Sequence, residues 1–491
     1  MLSCTEIPLS QTSLVPQIVV DLLKQEELNF NKQTNRKLLV QKLSEQYQSI
    51  DLHEKVQVNI QSLLDENTFT VTTGHQLCLM GGPAYFIYKI VSTIKTCEIY
   101  SKKYPSKKFI PVFWLASEDH DFEEVNHLHL FGKKVEWKTE QTGAVGRMKT
   151  EGFDEVFAEL NSIMEIPDIF SSSWSSLSPS PSLSCFTRSW LNKLFGNLGL
   201  IIIDADDSEL KRSFSKVISK EFEEQISKKI VDATNAELSK KYKVQVNPRE
   251  INFFKLEESK RERFTTENSN NWKELLSNNP EVFSPNVIYR PLYQEFILPN
   301  IAYVGGPNEL AYWFQLKDLF AAHGIAYPQL ILRDSFLILN SNHQKTISAL
   351  QLTPKDILED TEVLKSKYVS SKMEITDTWY QQNISRVFDD LKAAVSKIDN
   401  TLVATIDAEK TKNLKSLDNL FARIKKAEKA RHEIDLNKIE KLKNQLFPEG
   451  IFQERRVNFM EFYSRFGEAY IQTLIQNANP LNSCLKVLAE A

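Results

Sequence analysis

The sequence predicts an α/β protein with a parallel sheet covered by helices, joined to a long α-helical coiled-coil segment. Between residues 67 and 116, a β-branched run, an amphipathic helical segment and a run that is apolar on both faces follow one another with short connections. This pattern is typical of a βαβ unit in a parallel sheet. From Asp356 to Phe447 there is no glycine or proline, and apolar residues alternate spacings of four and three. That pattern is typical of a coiled coil.

Composition is that of a globular protein and disfavours several function classes. The 491 residues suggest two to four structural units, with 42% hydrophobic and 25% charged residues. The net charge of −4 gives no support to a general nucleic-acid binder, which usually has a basic excess. The sequence contains no run of 18 apolar residues, so no membrane span is predicted. The five scattered cysteines and the lack of a signal peptide pattern predict a cytoplasmic location.

The elements of the core follow from the apolar pattern. NTFTVTTG predicts a buried strand ending at Gly74, a helix is expected from Pro83 to about Lys103, and FIPVFWLA predicts the next strand. Further strands are predicted at LIIID (200–204), IAYVGG (301–306) and PQLILRD (328–334). The first ~60 residues carry helical patterns. The Ser/Pro segment SSSWSSLSPSPSLS (171–184) is expected to be a surface loop.

These elements suggest a division of the chain into alternating core and inserted segments. The predicted divisions are core residues 1–128, a first insert at 129–195, a core strand at 196–206, a second insert at 207–285, further core at 286–375, a coiled-coil domain at 376–450 and a C-terminal helical segment at 451–491 that packs on the core. The apolar seam of the coiled coil is Ile384, Phe388, Leu391, Val395, Ile398, Leu402, Leu414, Leu417, Phe421, Ile424, Ile439, Leu442 and Leu446. Its break near 405–412 is either a hairpin tip or a stutter.

The stretch VTTGHQLCLMGGPAYFIY (71–88) holds three of the chain's 14 glycines within nine positions, at Gly74, Gly81 and Gly82. A strand end followed by a glycine turn and a helix start can bind an anion, because backbone N–H groups point outward there. His75 and Gln76 would then donate to a phosphate or carboxylate at the carboxyl end of the strand. Alternatively, the glycines only make a tight turn.

An acidic cluster follows the next strand, in WLASEDHDFEEVNHLH (114–129). Its candidate catalytic residues are Glu118, Asp119, His120 and Asp121. Adjacent carboxylates raise one another's pKa, so the cluster could supply a general base or bind an amine. Alternatively, Asp119 or Asp121 caps the following helix. His127 and His129 would share one face of a strand as ordinary sheet histidines, since no third ligand at zinc spacing accompanies them, and no metal site is predicted.

The Gly-Gly-Pro sequence of the first turn occurs again at Gly305-Gly306-Pro307, between a predicted strand and a predicted helix. Asn308, Glu309 and Tyr312 follow it. Glu309 contributes to a site or merely complements the helix dipole. Just upstream, RPLYQEFILPN places Arg290, Gln294 and Glu295 before a buried strand. Arg290 either clamps a substrate carboxylate or pairs with Glu295.

Several of these motifs together resemble the bacillithiol biosynthesis cysteine-adding enzyme family. They are T-G-H-Q with G-G-P-x-Y-x-I-Y-K, then P-V-F-W-L-A-x-E-D-H-D-F-E-E, R-P-L-x-Q-E, G-P-x-E-x-A-Y-W and, at Leu446 to Arg455, L-F-P-x-G-x-x-Q-E-R. The resemblance spans nearly the whole chain. It implies a Rossmann-like core with two connecting inserts, distantly like class I aminoacyl-tRNA synthetases, and a coiled-coil domain that pairs two subunits. It also implies that L-cysteine is joined to the amine of glucosaminyl-malate, giving bacillithiol.

The strand-end segments described above supply the expected site. Substrate or nucleotide contacts are expected from Thr73, Gly74, His75, Gln76, Gly81, Gly82, Tyr85, Lys89, Arg290, Gln294, Gly306, Asn308, Glu309 and Tyr312. A carboxylate needs activation before it forms an amide, so ATP or another nucleotide is expected as cosubstrate. The first turn would cradle phosphates or the malate carboxylates, and the acidic cluster would bind the cysteine ammonium and deprotonate the attacking amine. Two alternatives are another nucleotide-dependent transferase, such as a nucleotidyltransferase, and a coiled-coil scaffold without catalysis.

Overall fold

The computed structural model describes residues 2–32, 34–177, 180–374 and 377–490. The chain forms two compact units: a larger one of Leu2–Ile338 with Phe452–Leu488, and a smaller one of Leu339–Ile451 with residues 489 and 490. The predicted boundary between residues 375 and 376 falls outside the described ranges, and the predicted insert boundaries stay predictions.

The secondary structure of the described residues comprises the following elements. The strands are β1 (Leu2–Pro8), β2 (Thr68–His75), β3 (Lys108–Leu115), β4 (His127–Leu130), β5 (Lys133–Glu136), β6 (Ile201–Asp204), β7 (Phe253–Leu256), β8 (Arg261–Arg263), β9 (Phe283–Pro285), β10 (Asn300–Gly305), β11 (Gln329–Leu332), β12 (Ser335–Leu339) and β13 (Cys484–Glu490). The α-helices are α1 (Gln17–Leu22), α2 (Arg36–Gln46), α3 (Glu54–Ser62), α4 (Tyr85–Lys103), α5 (Phe122–Val125), α6 (Phe153–Ile163), α7 (Asp168–Ser176), α8 (Leu183–Phe195), α9 (Ser208–Ser213), α10 (Ser215–Glu224), α11 (Ile226–Leu238), α12 (Trp272–Asn278), α13 (Tyr289–Ile297), α14 (Pro307–Trp313), α15 (Lys317–Ala322), α16 (Ser341–Ala349), α17 (Thr361–Lys372), α18 (Asp377–Val395), α19 (Val403–Arg431), α20 (Glu433–Leu446), α21 (Met460–Phe466) and α22 (Glu468–Asn477). Short 3-10 helices lie at Leu9–Gln11, Leu79–Gly81, Val145–Arg147, Gly196–Leu198, Pro280–Val282, Asp356–Leu358, Asn400–Leu402, Pro448–Gly450 and Gln453–Arg455.

The larger unit is built on a five-stranded sheet with the strand order β11-β10-β2-β3-β6. All four neighbouring pairs are parallel. Counted along the chain from β2, the strands lie in the order 5-4-1-2-3, which is the strand order of a Rossmann sheet. The predicted parallel, Rossmann-like core is therefore confirmed. The strand order reverses between β2 and β10, and the open crevice of such sheets lies at that point.

The predicted βαβ unit is confirmed and forms the centre of the core. Seven of the eight β2 residues are buried, and α4 packs on β2 and β3. Phe69 and Val71 of β2 share one apolar cluster with Cys97 and Tyr100 of α4 and with Val304 of β10. Each fully buried Val or Phe side chain stabilises the fold by roughly 1.5–3 kcal/mol. This packing fixes the edge at which β2, β3 and β10 end.

Two insertions interrupt the sheet, one between β3 and β6 and one between β6 and β10. The first holds the β4–β5 hairpin and α5–α8; the second holds α9–α13 and the antiparallel sheet β8-β7-β9, which was not predicted. The surface loop predicted over 171–184 is wrong for residues 171–176 and 183–184, which are helical. Trp174 stacks on Phe157 at 5.9 Å and contacts Phe186, so aromatic packing overrides the serine-rich composition. Ser178 and Pro179 lie outside the described residues.

The chain ends also differ from the prediction, which assigned only helices there. Residues 2–8 form β1 and residues 484–490 form β13, which lies between β1 and β12 in a second sheet. Helices α21 and α22 agree with the helical segment predicted for 451–491. Lys486 of β13 donates to the Asp334 carboxylate, and neither side chain is exposed to solvent. This buried ion pair ties the strand to the end of β11.

The smaller unit contains the predicted coiled-coil segment. Helices α18 and α19 run antiparallel, because Lys392 pairs with Asp407 and Lys410 pairs with Asp389. The chain turns at 396–402 rather than at 405–412, which lies inside α19, so a hairpin tip is present but earlier than predicted. Asp399 stabilises this turn by accepting a hydrogen bond from the backbone N–H of Thr401 at 2.9 Å. Across the described ranges, no helix combines the length and apolar character needed to cross a membrane.

Candidate functional site

A cavity of about 900 Å³ lies in the larger unit, beyond the carboxyl ends of β2, β3 and β10. Three segments at the ends of these strands contribute to its wall: residues 74–76, 114–120 and 306–309. His75 pairs with Leu115 in the sheet register, which brings the first two segments side by side. The cavity thus lies where the strand order reverses, the usual ligand site of open α/β sheets.

Most of the predicted site residues line this cavity, and some do not. Those on its wall are Gly74, His75, Gln76, Tyr85, Glu118, Asp119, His120, Arg290, Gly306, Asn308, Glu309 and Tyr312. Those off the wall are Thr73, Gly81, Gly82, Lys89, Asp121 and Gln294. Thr73 is buried in the sheet and donates to the carbonyl of Val304 at 2.7 Å. The predicted roles in catalysis and binding stay predictions for both groups.

Gly81 and Gly82 shape the turn from within the core. A Cβ at Gly81 would lie 3.2 Å from Trp190, and Gly82 has a φ of +55°, a conformation that disfavours other residues. The Asn458 side-chain amide donates to the carbonyls of Met80 at 3.1 Å and Gly82 at 2.6 Å. The tight-turn alternative therefore describes these two glycines, whereas Gly74 lies on the cavity wall.

Lys89 connects the two strand-end turns beneath the cavity. Its fully buried Nζ donates to the carbonyl of Gly74 and to both Glu309 carboxylate oxygens, at 2.9 and 2.7 Å. Glu309 also accepts from the backbone N–H of Gly306 at 2.7 Å. Burial alone would raise the pKa of Glu309, but the Lys89 charge holds it below its ordinary value. Glu309 therefore has a specific partner beyond the helix dipole.

His75 lies on the wall as a neutral imidazole. Burial is the largest cause that lowers its pKa to about 4, and the Lys89 charge adds to it. Its Nδ1 lies 2.9 Å from the carbonyl of Gln76, and its Nε2 lies 3.1 Å from the Tyr85 hydroxyl. A carbonyl only accepts, so Nδ1 is the donor and Nε2 accepts from Tyr85. His75 therefore positions Tyr85 and supplies no positive charge at neutral pH.

Asp119 links the acidic cluster to the first turn. Its carboxylate accepts from the Gln76 side-chain amide at 2.8 Å and from the His120 backbone N–H at 2.8 Å. The Arg261 guanidinium lies 3.6 Å away. Asp121 is exposed at the N-cap of α5, and its side chain makes no capping hydrogen bond. The two strand-end segments therefore lie side by side, and Asp119 is a carboxylate of the cavity wall that contacts the first turn.

Glu118 belongs to a buried charge network that the sequence did not indicate. Lys211 of α9 donates to the Glu118 carboxylate and, at 2.9 Å, to Asp206. Arg147 holds the other side of Asp206 with hydrogen bonds of 2.6 and 2.8 Å. Burial raises the pKa of Glu118 to about 7, against the opposing effect of the Lys211 charge. Glu118 can therefore change protonation near neutral pH while facing the cavity.

Arg290 faces the cavity without forming the Glu295 pair that was one alternative. Its Nη1 donates to the Gln294 side-chain oxygen at 3.0 Å, and its guanidinium lies 5.7 Å from the centre of the Tyr303 ring. Glu295 instead accepts from Gln294 at 2.9 Å and Asn300 at 2.6 Å. Arg290 therefore keeps its charge available to a ligand.

Five further arginines on the cavity wall were missed by the sequence reasoning: Arg249, Arg261, Arg263, Arg333 and Arg455. Arg333 directly follows β11, so the strand-end rule applied to the other segments could have found it. Arg261 of the second insert stacks on Phe254 at 4.1 Å and donates to the Ser284 hydroxyl at 3.0 Å. No local pattern in the insert indicates that its strands reach the core.

His127 and His129 lie on β4 with ring centroids 5.4 Å apart. Within the part of the chain that the structure describes, no group of three His, Cys, Asp or Glu side chains is placed to hold a metal ion.

Comparisons with known proteins give one consistent result. Family models described as "Bacillithiol biosynthesis BshC, N-terminal Rossmann-like domain" and "Bacillithiol biosynthesis BshC, C-terminal coiled-coil domain" match residues 23–334 and 336–490. A "Putative cysteine ligase BshC" of Flavobacterium psychrophilum is 40% identical, with 96% of this chain and 92% of the relative covered. Proteins of the same name are 41% identical in Flavobacterium johnsoniae, with 92% and 89% covered, and 28% identical in Bacillus cereus, with 90% and 88% covered.

Among solved structures, a "putative arginyl t-RNA synthetase" from Campylobacter jejuni aligns at 12% identity and a TM-score of 0.24, covering 86% of this chain and 99% of that one. A TM-score this low carries no argument about fold or function.

Proposed function

Because the chain belongs to the bacillithiol biosynthesis BshC family, we propose that it is a ligase that joins the carboxyl group of L-cysteine to the amine of glucosaminyl-malate, forming bacillithiol. The relatives' shared name, cysteine ligase, supports the reaction class and the cysteine substrate. The observation that carries the proposal is the cavity itself, which combines a carboxylate cluster for an amine with arginines for anions.

The charge balance of the cavity supports this assignment of ligands. Glu118 and Asp206 are paired with Lys211 and Arg147, and Glu309 is paired with Lys89. By contrast, the cavity-lining arginines Arg249, Arg263 and Arg455 have no side-chain hydrogen bond or ion pair to any described residue. Arginine recognises carboxylates and phosphates through its fixed donors. The cavity therefore suits a ligand with several negative groups, such as the malate carboxylates or the phosphates of a nucleotide.

In the proposed reaction, two of the carboxylates on the wall, Asp119 and Glu118, have separate roles. ATP or another nucleotide supplies the energy by converting the cysteine carboxylate into an acyl phosphate or acyl adenylate. Asp119, held by Gln76, binds the cysteine ammonium. The amine of glucosaminyl-malate attacks the activated carboxyl carbon, the amide bond forms, and phosphate or AMP leaves with the bonding electrons. Glu118 takes the proton that the amine loses.

This assignment of the base predicts the pH dependence. Burial raises the pKa of Glu118 to about 7, so below that pH the group is protonated and cannot accept a proton. We expect kcat/KM to rise about tenfold per pH unit below pH 7 and to level off above it. Glu118→Gln should lower kcat/KM and remove this limb, as measured in initial-rate assays from pH 5.5 to 8.5. If kcat/KM of Glu118→Gln still rises with pH below pH 7 as in the parent, another group is the base.

The direct test of the function is product formation. Purified protein is incubated with L-cysteine, glucosaminyl-malate and ATP, and bacillithiol is measured by mass spectrometry. Omission of ATP should stop the reaction, and other nucleotides replace it in turn. Exchange of pyrophosphate into ATP, measured with and without cysteine, separates an adenylate from an acyl phosphate. No bacillithiol with any nucleotide would count against the proposal.

A homodimer through the coiled coil is the second part of this proposal, together with a cytoplasmic location. The α18–α19 hairpin leaves large apolar side chains in solvent: Trp379, Tyr380, Val387, Leu391, Ile398, Leu402 and Leu420. None of the α18 residues is buried within the described chain. A second copy of the chain would cover this exposed apolar surface.

The exposed apolar surface of α18 leads to a prediction about dimerisation. Val387 is 64% and Leu391 47% exposed, and each apolar side chain buried in a dimer contributes roughly 1.5–3 kcal/mol. We expect the double variant Val387→Lys, Leu391→Lys to weaken dimerisation roughly a hundredfold or more, measured by sedimentation equilibrium. Asp390→Lys, an exposed position on the same helix, is the control. A double variant that dimerises as tightly as the parent would place the interface elsewhere.

A further inference from the structure

We propose that the corner of the cavity formed by Arg333, Gly306 and Arg455 is a subsite for one oxyanion, a carboxylate or phosphate group of a substrate. The subsite deepens the proposed function, on which it rests for the identity of the substrate. Its physical basis is a buried donor without a partner beside an arginine without a counter-charge.

Arg333 supplies the donor. Its side chain is only 3% exposed, and its two terminal nitrogens hold the Glu454 carboxylate at 3.1 and 2.6 Å. The third nitrogen, Nε, is buried and has no hydrogen-bond partner among the described residues. A buried donor left unsatisfied costs roughly 1–3 kcal/mol. Arg333 lines the cavity, so an oxygen atom of a bound ligand can satisfy its Nε–H.

Gly306 keeps the space beside this donor open. A Cβ built on Gly306 would lie 3.9 Å from the Arg333 Nε, and the Glu309 carboxylate is its other near neighbour. The Arg333 guanidinium lies 5.1 Å from the centre of the Tyr85 ring, which closes the corner on another side. The Tyr85 hydroxyl already donates to His75, so its ring acts as a wall and not as a donor to the anion.

Arg455 supplies the positive charge. Arg333 and Glu454 form a neutral pair, so Arg333 alone does not balance the charge of an anion. Arg455 follows Glu454 in the chain, faces the same cavity, and has no side-chain hydrogen bond or ion pair with any residue in the described ranges. Arg333 binds Glu454, the residue directly before Arg455, so the two arginines lie on neighbouring parts of the cavity wall. One arginine therefore orients the oxyanion and the other neutralises it.

Two substitutions test the subsite in the full-length protein. Arg455→Gln removes the charge without leaving a buried partner unpaired. Arg333→Lys keeps a cation for Glu454 but lacks the Nε–H. Binding of L-malate and of inorganic pyrophosphate is measured by titration calorimetry, because the two probes separate a carboxylate source from a phosphate source. Arg386→Gln, an exposed arginine on α18, is the matched control.

We expect Arg455→Gln to weaken the binding of at least one probe tenfold or more, and Arg333→Lys to weaken the binding of the same probe. Arg386→Gln should bind both probes with affinities within twofold of the parent's. Loss of L-malate binding assigns the subsite to the malate carboxylates, and loss of pyrophosphate binding assigns it to nucleotide phosphates. Loss of binding of both probes shows that the subsite accepts either group. Unchanged binding of both probes in Arg455→Gln, or no binding of either probe to the parent at millimolar concentration, overturns the subsite. If Arg333→Lys does not fold, Arg455→Gln decides alone.

The subsite and the proposed function can fail separately. Probe binding that depends on Arg455, in a protein that forms no bacillithiol, would leave the subsite standing without the function. Bacillithiol formation by Arg455→Gln with the parent's KM for every substrate would leave the function standing without the subsite.

Discussion

Asp119→Asn is expected to abolish detectable ligation, with kcat/KM reduced roughly 10²- to 10³-fold or more. Asparagine has the size of aspartate, and its single side-chain oxygen can still accept from one of the two donors, Gln76 or the His120 backbone N–H, which contact different oxygens of Asp119. It lacks the negative charge that would hold the cysteine ammonium in the proposed reaction. The Asp119 side chain is 30% exposed, and Arg261, which loses this ion pair, keeps its hydrogen bonds to the Ser284 hydroxyl and the Pro285 carbonyl. Bacillithiol formation by purified protein at saturating ATP measures the effect.

Glu123→Gln provides the matched control, because Glu123 lies four residues away, is exposed and does not line the cavity. We expect the kcat/KM of this control to lie within about twofold of the parent's value. The thermal unfolding midpoints of both variants should lie close to that of the parent. Parent-like product formation by Asp119→Asn would refute its role. Equal losses in the two variants would point to a disturbance of the whole loop instead.

Lys211→Met is expected to lower the free energy of unfolding by about 3–5 kcal/mol, the usual cost of removing one partner from a buried ion pair. Lys211 is 1% exposed, and its removal leaves the nearly buried Glu118 and Asp206 carboxylates without their shared cation. Methionine fills a similar volume, so lost packing contributes little. Denaturant unfolding monitored by circular dichroism measures the change.

Two further variants separate lost charge pairing from a general disturbance. Adding Glu118→Gln to Lys211→Met should recover part of the lost stability, because Glu118 is the carboxylate left without a lysine or arginine partner, whereas Asp206 keeps Arg147. Lys240→Met breaks an exposed pair with Glu237, whose side chains are 67% and 73% exposed, and should leave unfolding unchanged. An unfolding midpoint for Lys211→Met equal to that of the parent would contradict the assigned role of the network.

Much of the fold could be predicted from local pattern. β2, α4 and β3 are each specified by their own apolar periodicity, and the glycine-free, proline-free run specifies the long helices of the smaller unit. The misses occurred where packing decides the outcome. The serine-rich α7 is helical because Trp174 packs among aromatic rings, and β13 lies beside β1, which is nearly the whole chain away in sequence.

The candidate site divides in the same way. The sequence by itself determined the strand-end segments that carry Gly74, Asp119 and Gly306, because parallel strands end at one edge and polar residues placed there meet. Only the tertiary structure decided which charges they meet. From an insert whose packing no local pattern encodes, Arg261 reaches the cavity and Lys211 reaches Glu118 on its wall, and Gly82 packs against Cys78 off that wall. Periodicity reports which face of an element is buried, whereas the partner of a buried charge depends on contacts between residues distant in sequence.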